Sequence, residues 1–175
     1  MEIPLPLSEY LKKTRLLPRA RPQLFIESEP GPDLFARLVQ YLGQFCPEVS
    51  LDYFQAENTG EECNRLLGQL KGFFLRKEAC GTGVRAYFST QPAALRLILG
   101  AGPCLGDWKR PRLPENPTFW TPSGKPAFLA STGGKNAPGA LIDTNALDPE
   151  QSRILGFLEL IRLDYRVLAE EQAQS

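Results

Sequence analysis

The stretch LFIESEPGPDLFARLVQYLGQF, residues 24–45, decides the fold class. Leu24-Phe25-Ile26 is a short apolar run closed by Pro30-Gly31-Pro32, the signature of a buried strand that ends in a turn. Pro32 suits a first helical turn and Asp33 suits its dipole. Phe35, Leu38, Leu42 and Phe45 then repeat at helical spacing, with Val39 beside them, until Pro47 stops the pattern. One strand and one amphipathic helix are therefore written side by side.

The same alternation continues. Leu51 to Ala56 reads as a second strand. Thr59-Gly60-Glu61-Glu62 has the form of a capping box, and Cys63, Leu66, Leu67 and Leu70 supply the apolar stripe of a second helix. Phe73-Phe74-Leu75 fits either a helix end or a strand, and Gly81-Thr82-Gly83 marks a turn. Val84, Ala86 and Phe88 alternate with Arg85 and Tyr87, as in a strand. Thr90 and Pro92 open a third helix through Leu99. Strand and helix alternating over residues 24–99 imply a single layered α/β domain over 23–175, with a central mixed sheet flanked by helices. Residues 1–22 form an N-terminal extension with a short helix over Glu9–Leu17. At the other end, Asp148-Pro149-Glu150-Gln151 starts a helix whose stripe is Ile154, Leu158, Ile161, Tyr165 and Leu168. It is expected to close one side of the sheet.

Between these halves lies Gly100–Gly139, which holds both tryptophans, seven of the 16 prolines and seven of the 15 glycines. Thr118–Thr121 and Ala127–Ala130 can pair as a Pro/Gly-rich β-hairpin insertion across Pro122–Lys125. The rest of the segment is basic and aromatic, with Lys109, Arg110, Arg112, Lys125 and Lys135 against Asp107 and Glu115. Arginine beside tryptophan offers stacking and bidentate contacts to carboxylate or phosphate. The expected binding residues are accordingly Trp108, Lys109, Arg110, Arg112 and Trp120, on the condition that their side chains point outward.

Charge and composition narrow the function classes. Net charge is zero, yet it sums blocks of +3 over residues 1–22, −7 over 23–62, +8 over 63–135 and −4 over 136–175. Such blocks can orient a charged partner. The chain has no histidine, which removes the usual general base and the Ser-His-Asp and Cys-His arrangements. Cys46, Cys63, Cys80 and Cys104 form no CxxC pair, so no zinc site, other metal site or cofactor is expected. No run of apolar residues is long enough for a membrane helix, and the N-terminus lacks the pattern of a secretory signal. The default location is the cytoplasm or an organelle interior.

Three functions follow in order. The first is a non-enzymatic binding or assembly factor that uses the basic, Trp-containing loop on a protein partner with an acidic face. The second is a nucleic-acid-binding protein using the same loop. The third is a Mg²⁺-dependent phosphodiester hydrolase with Glu27, Glu57 and Asp143 as catalytic carboxylates, which requires that strand ends gather on one edge of the sheet. Within the third, Ala140-Leu141-Ile142-Asp143-Thr144-Asn145 resembles the first strand of PIN-domain nucleases, where the Asp is a metal ligand. The likeness covers six residues and sits near the end of the chain, whereas that strand opens the domain in the family.

Overall fold

The structure, a computed structural model, describes residues 23–26, 29–55, 60–133, 138–143, 146, 157 and 166–168. The expected helix at residues 9–17, Glu27, Glu57, Lys135 and most of the expected C-terminal helix lie outside the described residues. Eight strands form one sheet: β1 (Gln23–Ile26), β2 (Glu48–Tyr53), β3 (Phe74–Cys80), β4 (Gly83–Ser89), β5 (Glu115–Trp120), β6 (Pro126–Ser131), β7 (Gly139–Asp143) and β8 (Arg166–Leu168). Among the described residues, three α-helices with defined bounds accompany them: α1 (Pro32–Leu42), α2 (Glu61–Gln69) and α3 (Pro92–Ala101). Two short 3₁₀ turns, Leu70–Phe73 and Leu105–Asp107, lead into β3 and the central loop. No helix among the described residues is long and apolar enough to cross a membrane.

The spatial order is β3-β4-β2-β5-β6-β7-β1-β8. Every pairing is antiparallel, which corrects the expected mixed sheet. The three helices join strands of the same sense, but at least one strand lies between the members of each joined pair, and that strand makes every neighbour antiparallel; β1 and β2, separated in sequence by α1, are kept apart by three strands. The Glu115–Ser131 segment also differs from expectation. Its two strands pair through the turn at Thr121–Lys125, with Gly124 at φ 81°, but they are the middle of the sheet rather than an insertion upon it. Finally, Arg166–Leu168, placed by periodicity on the closing helix, pairs with β1 as β8. The free side of β1 offers a ladder that a Val-Leu segment can complete.

Strand alternation sorts the side chains onto two faces. Leu24, Ile26, Val49, Leu51, Ala86, Phe88, Phe119, Phe128, Ala130, Ala140 and Ile142 form one cluster with Phe35, Leu38 and Leu42 of α1 and Ala94, Leu95 and Ile98 of α3. All of these are buried, so this is the core, and the helices cover this face. The opposite face carries, in register from β4 to β1, Tyr87, Ser50, Thr118, Leu129, Leu141 and Phe25. It is more polar, and it is where the buried charges lie.

Candidate functional site

The central loop is organised by Trp108. Its side chain is fully buried in the core, and its Nε1–H donates to the Gly102 carbonyl at 3.0 Å. Gly102 is required there: a Cβ would sit 2.5 Å from the indole nitrogen. The expectation that Trp108 faces a partner is therefore corrected. A bulky indole with one polar atom is most stable where both its area and its N–H are satisfied, and the loop folds back to provide that. Trp108 is an anchor, and it fixes the residues that follow it.

Those residues diverge. Lys109 is exposed. Arg110 lies with its guanidinium 4.2 Å above the Phe54 ring and its Nε 3.5 Å from Glu115 Oε1. The Arg110–Pro111 peptide is cis. Arg112 is exposed, hydrogen-bonded to Glu62 of α2 and 3.6 Å from Asp107. Trp120, the fifth expected residue, is remote from them. It ends β5 while Glu115 begins it, a separation of about 16 Å along a strand. Its Nε1–H donates to Ser50 Oγ at 2.8 Å, and its ring lies 5.7 Å from that of Tyr87. The five residues thus do not form one surface.

Two concavities open beside the basic loop. The larger, about 440 Å³, runs between α2 and α3 and is rimmed by Arg65, Arg96 and Arg112, with Leu66, Leu97 and Ala101 among its lining. Arg65 is paired with Glu61 and Arg112 with Glu62. Arg96, exposed on α3, forms no ion pair among the described residues. The smaller, about 250 Å³, is lined by Lys109, Arg110, Glu115, Thr132 and three backbone-rich positions at Gly106, Gly133 and Pro138.

Behind the smaller cleft sits a buried polar network. Arg85 Nε donates to Asp52 Oδ1 at 3.1 Å, with both side chains almost wholly buried. Asn116 Nδ2 donates to Asp52 Oδ2 at 3.2 Å. Asn116 also exchanges bonds with Thr132: its backbone N–H reaches Thr132 Oγ1 at 2.9 Å, and its Oδ1 receives the Thr132 N–H at 3.0 Å. Asn116 holds φ 56°, a left-handed conformation that asparagine tolerates better than most residues. Register between β2 and β5 shifts between Ser50 and Asp52, next to this network. Burial pushes the Asp52 carboxyl up to about 6 from an ordinary 3.8, with Arg85 and Asn116 pulling the other way and Glu115 adding to the rise.

Of the expected hydrolase carboxylates, Asp143 is described and ends β7, while Glu27 and Glu57 lie outside the described residues. β1 and β2 run the same way and β7 runs oppositely, as the successive antiparallel pairings require. The ends of β1 and β2, from which residues 27 and 57 leave, are on the sheet edge opposite to Asp143. Convergence on one edge needed parallel strands. All four cysteines are free, and burial raises the thiols of Cys46 to about 12 and Cys80 to about 11, which keeps them protonated and poor nucleophiles.

Sequence reasoning missed Asp52, Arg85, Asn116, Arg65 and Arg96. Arg85 had a signal, alternating with the apolar Val84 and Ala86 in a strand; the sign of its partner was not legible. Arg65 and Arg96 are ordinary helix-surface arginines until α2 and α3 are set side by side. No protein-family model, curated protein or solved structure matches the chain.

Proposed function

We propose that the protein is a non-enzymatic binding or assembly factor that holds an acidic segment of a protein partner in the groove between α2 and α3. The supporting observation is Arg96. It lines the groove together with Leu66, Leu97 and two arginines that are each tied to a glutamate, and it has no ion pair of its own among the described residues. A groove of this chemistry fits a helix with leucines on one face and carboxylates at its margins. Lys109, exposed on the neighbouring loop, adds positive charge that would increase the rate of encounter with such a partner. Cytoplasm or an organelle interior is the location in which such a factor would act.

Nucleic acid is the second reading, carried by the same arginines. It fits less well, because bases need aromatic faces to stack on. Trp108 is in the core, Trp120 is bonded to Ser50, and neither lines this groove.

Two labelled probes of equal negative charge decide between them: an amphipathic peptide with leucines and glutamates at helical spacing, and a single-stranded oligonucleotide. The protein should bind the peptide, and Arg96→Ala should weaken that binding by about tenfold, as expected for loss of a charged contact of about 1.4 kcal/mol. Preference for the oligonucleotide, with affinity that falls steeply with salt, supports the second reading. Binding of neither probe refutes both.

A further inference from the structure

β3 is the outermost strand at its end of the sheet, and among the described residues it pairs only with β4. Its first four residues, Phe74 to Lys77, are exposed. Phe74 and Leu75, 44% and 47% exposed, are the exposed large apolar side chains of the described residues. They are not loose. The Phe74 ring meets that of Phe88 edge-on with centroids 6.0 Å apart. Arg76 is clamped by two bonds of 2.9 Å to Glu48, and its guanidinium lies 4.0 Å above the Tyr87 ring. Lys77 has no ion pair among the described residues.

We infer that β3 is a strand-addition site for an extended, acidic segment of a partner protein. An edge strand offers a row of unpaired backbone donors and acceptors, and pairing with it supplies affinity while alternate side chains supply specificity. Phe74 and Lys77 stand across from Phe88 and Ala86 and share a face, because the register shifts between Phe74 and Arg76. A carboxylate of the incoming strand would lie opposite Lys77, where an opposite-charge pair stabilises a ladder, and apolar residues would take the alternate positions, next to the exposed Leu75.

A second copy of the chain is a poorer occupant. The two-fold register that overlaps the whole of β3 sets the Lys77 ammonium against that of the other copy, and like charges directly opposite destabilise a pair. The register shift between Phe74 and Arg76 also disfavours flat self-pairing. The same lysine that discourages self-association selects an acidic strand. The site is on a different element from the α2–α3 groove and does not depend on it.

The test uses the full chain and two labelled heptapeptides, one alternating valine with glutamate and one alternating valine with lysine. Backbone amide exchange is followed residue by residue. With the acidic peptide, amides within residues 74–77 that exchange freely should slow by at least tenfold, and the basic peptide should leave them unchanged. Lys77→Glu should reverse the preference; should that variant fail to fold, Lys77→Ala should weaken the acidic peptide several-fold. Equal binding of both peptides, protection confined to the α2–α3 groove, or a dimer through β3 without peptide would each overturn the inference.

Discussion

Replacing Asp52 by asparagine should remove a pH dependence of stability that the wild type carries. The folded carboxyl holds its proton up to about pH 6, whereas the ordinary value is 3.8. Between those values the folded state binds more protons than the unfolded state, so stability falls as pH rises. The contribution is fully present below pH 3.8 and lost as pH rises through 6. The difference of roughly two pH units corresponds to about 3 kcal/mol. Other carboxylates give slopes of opposite sign, so the informative quantity is the difference between wild type and variant. Urea unfolding at fixed ionic strength, at steps from pH 3.5 to 7.5, measures it. Near pH 4 the wild-type carboxyl is itself protonated and neutral, so Asp52→Asn should be close to wild type in stability there. Towards pH 7 the wild type should lose about 3 kcal/mol relative to the variant. Parallel stability curves for the two proteins would refute the account of a desolvated carboxyl, and a wild type that gains on the variant as pH rises would show that Arg85 and Asn116 outweigh burial.

The remaining predictions concern packing. Trp108→Ala should cost about 3–5 kcal/mol in chemical unfolding, as large aromatic truncations in a core do; an unchanged midpoint would mean that the indole is not an anchor. Gly102→Ala should also destabilise, since its Cβ would fall 2.5 Å from the indole nitrogen, and the double variant with Trp108→Ala should lose less than the sum of the two. Gly68→Ala should stabilise by about 0.5–1 kcal/mol, because a Cβ there meets nothing within 4 Å and the helix gains propensity; a lower melting temperature contradicts it.

Much of the local structure was legible and the global arrangement was not. The 3-4 spacing of Phe35, Leu38 and Leu42 and the proline at position 32 locate α1, and the alternation around Ala86 locates β4. Strand direction has no such local signal: the sense of a strand is fixed only by its order in the sheet. Asp143 looks convergent with residues 27 and 57 until β7 is seen to lie antiparallel beside β1. The candidate site shows a related gap. Lys109, Arg110 and Arg112 stand out as a basic cluster in sequence, yet the groove joins Arg112 to Arg65 and Arg96 from two other elements. Trp108 was misplaced because composition marks a tryptophan as valuable without saying which side of a loop receives its nitrogen; the Gly102 carbonyl settles that. Exposure likewise conceals β3, since its Phe74-Leu75 pair reads as core material in an isolated string.

β1 has a consequence for biosynthesis. Its hydrogen-bonding partners, β7 and β8, come late in the sequence. On the ribosome this strand must therefore wait, unpaired and apolar, while β2 to β6 are made. The nearer pairings of β3 with β4 and of β5 with β6 can form as hairpins during that interval. The sheet closes around β1 only after β7 and β8 have been made, which makes β1 a segment of the nascent chain that benefits from a chaperone's shelter.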